Sequence, residues 1–449
     1  MTTVSSHTPF HAPGRGRSVF IETYGCQMNV ADSQLMQGIL EGSGYVKADS
    51  LEAADVILIN TCAVRERAEE RVISRVNSLK PIKDSNPSLV LAVCGCMAEH
   101  LKDTLFERAP MIDIVVGPDA YRRLPDLIDA SAGGDSIVDV ALDKNETYEG
   151  VADTKVDGIN GWISIQRGCD KFCTFCIVPF VRGRERGTPP REVLRQARAL
   201  VEQGAVELTL LGQTVNSYKY EDVDFADLLG AVETIEGIRR IRFTSPYPLD
   251  FSPKLIKHMA ASPLVMPHVH LPLQSGSDRV LEVMKRGHTY ETFKTLVGDL
   301  RSAMPTLGMT TDIIVGFPGE TDDDFEQTLA AVEEIRFDSA FMFYYSERSN
   351  TYASRHLPDD VPMETKKARL ARLIKAQEAI SAEIFESMLG TTHEVMVNGP
   401  SRRSDDDLVG KTPCFKSVVF PRAEGVREGD VVSVQVERTT SHTLIGKIV

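Results

Sequence analysis

No apolar run in the chain reaches the roughly 18 residues that a membrane-spanning helix needs. The opening residues, MTTVSSHTPFHAPGRGRS, have no apolar segment of the secretory kind. With their Pro and Gly they read as a disordered tail over 1–17. Positive charge is also scarce. The formal net charge is −14, and segments 1–150, 151–379 and 380–449 stand at −8, −4 and −2. Such a balance excludes general electrostatic attraction to nucleic acid, so any such binding has to rest on local charge. These absences lead us to expect a cytoplasmic protein with no membrane partner. Cysteine is not scarce: there are eight, and in a reducing compartment they argue for metal-binding or catalytic thiols over a disulfide framework.

Three short apolar, β-branched runs, SVFIETYGC, DVILINTC and LVLAVCGC, alternate with helical stretches such as CAVRERAEERVISRVNSLK, where Val64, Ala68, Val72 and Val76 repeat at i+4. Alternation of this kind predicts an α/β domain with a parallel sheet over 18–142. Each run ends in a cysteine, Cys26, Cys62 or Cys96, and open parallel sheets carry their sites beyond the carboxyl ends of the strands. Residues 143–161 are polar and without period, and read as a linker. Six further strand runs with intervening helices follow over 162–384. They predict a (β/α)6 partial barrel with its functional residues at the carboxyl ends of the strands. Residues 385–449 alternate with period two between turn signals, which predicts a small five-stranded β-barrel. Asp405 to Asp407 read as a solvated turn. In GFPGETDDDFEQT, Thr321 and Asp324 form a capping box.

The strongest chemical signal is CDKFCTFC, with Cys169, Cys173 and Cys176 in C-x3-C-x2-C spacing directly after a strand. Zinc sites have four ligands as a rule, and no fourth Cys or His lies nearby. Three thiolates suit a [4Fe–4S] cluster with one iron left open to a substrate. The alternative is three buried loop cysteines. The strand-end set Cys26, Cys62 and Cys96 again numbers three and suggests a second cluster of the same kind. Its alternative is three unrelated core cysteines. Two residues before these three stand Tyr24, Asn60 and Cys94. Cys94 therefore occupies a position that the other strands fill with non-ligands, and is expected to be a packing residue beside the site, with Cys414 an ordinary cysteine of the β-barrel.

The segments ETYGCQMNVADS, NTCAVRERAEER, GCMAE, QRGCDKFCTFCIVPFVRGRERG, LLGQTVNSY, TSPYP, HLPLQSGSDRVLEVMKR and TDIIVGFPGET together resemble the radical S-adenosylmethionine (SAM) methylthiotransferases. The similarity is to the MiaB type that modifies tRNA, and runs from about Val19 to the carboxyl end. It implies an amino-terminal methylthiotransferase domain, a central radical SAM domain and a carboxyl-terminal TRAM domain. It implies two [4Fe–4S] clusters and SAM as cofactors. Cys169, Cys173 and Cys176 would hold the radical SAM cluster. Cys26, Cys62 and Cys96 would hold an auxiliary cluster that handles the sulfur. The implied reaction is methylthiolation at C2 of N6-isopentenyladenosine, position 37 of tRNA. One SAM is the methyl donor and another the radical source, because the C2–H bond has no leaving group. The competing targets are threonylcarbamoyladenosine in tRNA and a ribosomal protein.

The same resemblance assigns SAM contacts to strand ends: Gly212, Gln213, Ser245, Gln274 and Asp312, with Phe175 over the adenine. Their alternatives are hydrogen bonds to neighbouring loops and, for Phe175, packing of its own loop. The expected partners are the tRNA anticodon stem-loop, an electron donor such as flavodoxin or ferredoxin, and, as a further candidate, a sulfur carrier. For the RNA, RGRERGTPPREVLRQAR carries six Arg against two Glu. Arg182, Arg184 and Arg186 form its expected phosphate-binding rim, while Arg191 to Arg198 read better as a helix with internal ion pairs. RRIR, with Arg239, Arg240 and Arg242, is the second expected basic cluster.

Overall fold

Apolar residues follow one another without alternation in DVILIN and LVLAVC because both faces of these strands are covered. A computed structural model describes residues 16–63, 66–131, 134–151, 156 and 158–449. The chain divides into two compact units, Met1–Thr154 and Lys155–Val449. In the first, β1 (Ser18–Tyr24), β2 (Val46–Lys47), β3 (Val56–Thr61), β4 (Val90–Gly95), β5 (Ile114–Val116) and β6 (Ile137–Asp139) form one parallel sheet in the order β2-β1-β3-β4-β5-β6. Val56, Leu58, Val90, Ala92 and Cys94 enter an apolar cluster with the helix Gln27–Gly42, while Ile57, Ile59, Leu91 and Val93 enter another on the opposite face. Two-sided burial is the rule for parallel sheets and explains the continuous apolar runs. The helix Glu66–Ser78 buries Val72 and Val76. Val64 and residues 1–15 of the expected tail lie outside the described residues.

The segment expected as a linker is docked on this unit over its first part. Tyr148 stacks on Tyr121 with ring centroids 5.9 Å apart, and its hydroxyl donates to the Pro118 carbonyl at 2.7 Å. The next strand already begins at Asn160.

In the second unit, β7 (Asn160–Ser164) is followed by the short pair β8 (Gln166–Arg167) and β9 (Arg186–Gly187), then β10 (Glu207–Leu211), the hairpin β11 (Lys219–Tyr220) and β12 (Val223–Asp224), β13 (Arg240–Phe243), β14 (His268–His270), β15 (Gly308–Val315) and β16 (Ser339–Tyr344). Strands β7, β10 and β13 make one parallel half, and β14, β15 and β16 the other. Main-chain bonds join the halves: Ile241 N–H donates to Leu264 O at 2.7 Å and Met266 N–H to Ile241 O at 3.0 Å. The result is a six-stranded partial barrel with its strands in chain order and its helices outside. Thr321 caps the helix Asp322–Ile335, exchanging hydrogen bonds with Asp324.

The helix Met363–Glu386 packs Leu373 and Ile380 against the outer face of the partial barrel and puts Phe385 into the core of the last module. That module is a closed barrel, β17-β18-β19-β21-β20, of β17 (Thr392–Ser401), β18 (Ser404–Lys411), β19 (Ser417–Pro421), β20 (Val431–Thr439) and β21 (Thr443–Ile448). Asp405 to Asp407 do not form a turn. Arg402 and Arg403 take the turn, and the three carboxylates lie on β18, Asp405 and Asp406 exposed and Asp407 half-buried.

The second expected basic cluster is also corrected. Arg240 and Arg242 are buried, and donate to carbonyl oxygens at the end of β18 and in the loop after it: Arg240 to Lys411 at 2.7 Å, Arg242 to Pro413 at 3.0 Å and to Thr412 at 3.1 Å. Arg242 also pairs with the buried Glu207 at 2.9 Å, and Arg239 donates to Gly429 O at 3.1 Å. The Arg240 and Arg242 guanidiniums, satisfied by carbonyls inside a domain junction, are not available to phosphate, whereas Arg239 is exposed. These residues hold the small barrel against the amino-terminal ends of the strands.

Candidate cluster and cofactor sites

In the first unit the sheet register aligns Tyr24, Thr61 and Gly95 on neighbouring strands. Cys62 and Cys96 each follow this row by one residue and Cys26 by two, so three thiols gather at one edge of three adjacent strands. Gly25 and Gly95 make this possible. Both have positive φ, +154° and +95°, and a Cβ at Gly25 would stand 3.0 Å from Cys62 Cβ while one at Gly95 would stand 2.5 Å from Thr61 O. The extra residue in β1 means that Thr23, not Tyr24, lies beside Asn60 and Cys94. Cys94 is fully buried in the apolar cluster, and burial pushes its thiol well above the usual range. Cys96 opens the helix Cys96–Leu101 instead.

Two buried asparagines brace this edge. Asn29 Oδ1 accepts from Cys26 N–H at 3.2 Å and lies 3.5 Å from Cys26 Sγ, while Asn29 Nδ2 donates to Thr61 O at 3.0 Å. Asn60 Nδ2 donates to Asn29 O at 2.7 Å. Sequence reasoning passed over Asn29 and named Asn60 only as a non-ligand, although CQMN and NTC carried both beside the cysteines.

In the second unit, Cys169, Cys173 and Cys176 lie in the loop closed by the pairing of β8 with β9. Cys169 N–H donates to Gly183 O at 3.1 Å, Cys176 N–H to Cys173 O at 3.0 Å, and Lys171 N–H to Cys169 Sγ at 3.5 Å. Thr174 ties the loop to the turn after the helix Asp278–Val283, donating from N–H to Met284 O and from Oγ1 to Val283 O, each at 3.0 Å. Burial pushes the thiol of Cys169 up to about 11 and that of Cys176 up to about 12, and the neighbouring cysteines add to both shifts. Among the described residues no three His, Cys, Asp or Glu side chains are arranged to hold a single metal ion. A cubane cluster asks for something else. Each thiolate binds a different iron, so its sulfurs stand farther apart. An all-sulfur set in one tied-down loop, Cys169 buried and Cys173 and Cys176 half-buried, fits that demand, since binding to iron draws off the thiol protons.

The expected SAM residues stand near this loop or on the inner strand face. A Cβ at Gly212 would lie 3.0 Å from Val215 Cα. Ser245 and Gln274 are held at φ of +57° and +74°, strained values for residues with a side chain. Gln274 is locked by main-chain bonds to Asp312 O at 2.8 Å and from Ile314 N at 2.9 Å. The side-chain oxygens of Gln213 and Gln274 are buried and find no hydrogen-bond partner among the described residues. Two orphaned acceptors are costly unless a ligand meets them. Phe175 is half-buried and packs edge-on against Phe317 at 6.1 Å, beside Met284 and Tyr345. Asp312 is in mid-strand rather than at the strand end. Thr310, Asp312 and Ile314 form the half-exposed face of β15, the opposite side packing on helices. On that face Asp312 lies 3.2 Å from His270 Nε2, and the His270 ring meets Phe341 edge-on at 5.7 Å. Phe341 is 58% exposed there.

The expected RNA residues divide. Arg182 and Arg186 are buried, and Arg186 donates back to the carbonyls of Arg182 at 3.2 Å and Arg184 at 3.4 Å. Arg184 is exposed, paired with Asp170 at 2.5 Å, and its guanidinium lies 5.5 Å from the centre of the Phe172 ring.

Comparison with known proteins agrees with these units. Residues 18–117 match the uncharacterized protein family UPF0004, residues 163–332 the radical SAM superfamily and residues 386–449 the TRAM domain. A protein of Chloroherpeton thalassium named tRNA-2-methylthio-N(6)-dimethylallyladenosine synthase is 43% identical, with 97% of each chain covered. Proteins of the same name from Porphyromonas gingivalis and Chlorobium limicola are each 45% identical. The match covers 96% and 97% of this chain, and 95% and 98% of theirs. Among solved structures, the radical S-adenosylmethionine methyltransferase TsrM of Kitasatospora setae is similar with a TM-score of 0.55 at 14% identity, over 84% of this chain and 80% of that one. At that identity the likeness speaks for the fold alone.

Proposed function

Because this chain belongs to the family of tRNA-2-methylthio-N6-dimethylallyladenosine synthases, we propose that it transfers a methylthio group to C2 of N6-dimethylallyladenosine at position 37 of tRNA. The observation that carries this is the pair of three-cysteine sets, one at the carboxyl edge of three adjacent parallel strands and one in the loop closed by the β8–β9 pair, in a chain similar to its relatives from end to end. Cys169, Cys173 and Cys176 hold the radical SAM cluster. Cys26, Cys62 and Cys96 hold a second [4Fe–4S] cluster that handles the sulfur. A cluster held by Cys169, Cys173 and Cys176 would supply the electron needed to open the sulfur–C5′ bond of SAM, and so the radical chemistry that a C–H bond beyond the reach of acid or base requires.

The protein's own groups do the rest. The free oxygens of Gln213 and Gln274 accept from the SAM ammonium group, and Gly212 and Ser245 let the main chain approach. Phe175 packs the cysteine loop. The Phe341, His270 and Asp312 face offers an apolar ring beside a hydrogen-bonding pair, the chemistry that an adenine with a branched apolar substituent requires. Arg184 meets backbone phosphate. The three modules run over 18–142, 162–384 and 385–449. A flavodoxin or ferredoxin supplies electrons, a sulfur carrier replenishes the second cluster, and the reaction takes place in the cytoplasm. The relatives above carry the dimethylallyladenosine name, which favours this base over threonylcarbamoyladenosine or a ribosomal protein. The test is anaerobic reconstitution with SAM, a reductant and an anticodon stem-loop bearing N6-dimethylallyladenosine. Mass spectrometry should find the 2-methylthio nucleoside, and 5′-deoxyadenosine should accumulate. Neither product from an iron-loaded protein would refute the proposal.

A further inference from the structure

Arg286 is 6% exposed, yet among the described residues no carboxylate pairs with it. Its Nη1 donates to Cys173 Sγ at 3.3 Å and its Nη2 to Pro272 O at 3.2 Å, the guanidinium lies 4.9 Å from the centre of the Tyr247 ring, and Nε has no partner among the described residues. Arg242 and Arg369 are buried to the same degree, and each has a buried carboxylate, Glu207 at 2.9 Å and Glu320 at 2.8 Å. A buried cation without a counter-charge costs several kcal/mol, so position 286 lacks an anion that the other two sites have.

We infer that the missing anion is the cluster at Cys169, Cys173 and Cys176, and that Arg286 is a positioning residue that sets the potential at which this cluster accepts an electron. The inference rests on the cluster assignment above. One-electron reduction adds a negative charge beside three thiolates. A fixed cation at hydrogen-bond distance from a ligand sulfur stabilises the reduced form more than the oxidised one, and so raises the potential. The geometry is rigid enough to hold the charge in place. Arg286 N–H donates to Leu281 O at 3.0 Å, and the Tyr247 hydroxyl donates to the Arg286 carbonyl. The same turn supplies both carbonyls that anchor Thr174 in the cysteine loop. Arginine and cysteines are therefore fixed to one another through a single turn.

The test uses the full chain with Cys26, Cys62 and Cys96 replaced by alanine, so that only one cluster is loaded from ferrous iron and sulfide. Its potential is read by EPR during titration with dithionite. Arg286→Met should shift the reduction equilibrium about tenfold toward the oxidised form, about 59 mV for one electron. Arg286→Lys, which keeps the charge, should shift it less. An unchanged potential in folded, iron-loaded Arg286→Met overturns the inference and leaves the cluster assignment standing. If Arg286→Met is folded but takes up no iron, uptake by Arg286→Lys supports the counter-charge role, and failure of both variants overturns it. A parent chain that binds no iron overturns the cluster assignment together with the inference.

Discussion

Cys94 and Asn60 are direct partners across β3 and β4, and both turn toward the helix Gln27–Gly42, the thiol into its apolar side and the amide onto the Asn29 carbonyl. Cys96 lies beyond that pair, at the start of the next helix. Cys94→Ala should therefore keep the iron of the first unit, at a stability cost of about 1 kcal/mol, whereas Cys96→Ala should lose it. Iron analysis of the two variants, each with Cys169, Cys173 and Cys176 replaced, separates these outcomes.

Glu99, three residues further on, is buried, and burial pushes its carboxyl up to about 7 despite Lys102 at 3.4 Å. A carboxyl whose folded value is raised binds more protons folded than unfolded, so its contribution to stability falls as pH rises from about 4.5 to about 7. Relative to Glu99→Gln, the wild-type iron-free protein should lose up to about 3 kcal/mol over that range. Urea unfolding at several pH values measures the difference. A parallel pH profile for the two proteins would show that Glu99 is ionised in the folded state.

Arg242 joins the buried Glu207 to carbonyls of the small barrel. Arg242→Ala leaves that carboxylate without its partner and should destabilise the second unit by roughly 3–5 kcal/mol. Thermal unfolding followed by circular dichroism reads this directly. RNA affinity per folded molecule should stay unchanged, since this guanidinium never meets solvent-borne phosphate.

Arg184 should behave in the opposite way. Arg184→Ala removes an exposed charge, so the fold stays intact and the salt dependence of stem-loop binding becomes shallower by about one phosphate contact. Fluorescence anisotropy across a salt series gives the slope. The same substitution at Arg182 or Arg186 should cost stability first, because both side chains are buried.

The positions of Cys62 and Cys96 were legible because each follows a strand whose apolar run is continuous, and a continuous run means a parallel strand covered on both sides. The small barrel was legible for the complementary reason, its period of two. Arg240 and Arg242 were not. RRIR has the same local charge whether it faces RNA or carbonyls, and the deciding partners lie 170 and 171 residues away for Arg242 and Arg240. Arg286 was hidden in the same way, being 113 residues from the thiol that it touches. The one-residue offset of Cys26 depends on Gly25, whose positive φ only the folded strand edge reveals.

The loop 412–416 has a consequence for how such sequences change over generations. Its carbonyls receive Arg242, a Cβ at Gly308 would sit 2.3 Å from the Cys414 carbonyl, the Phe415 ring stacks on His268 at 4.7 Å, and Lys416 pairs with Asp338. Substitutions in this short loop cannot accumulate independently. Changes at Phe415 and Lys416 have to be matched at His268 and Asp338, so these distant pairs should drift together, whereas the main-chain contacts at Arg242 and Gly308 constrain the path of the loop and not its side chains.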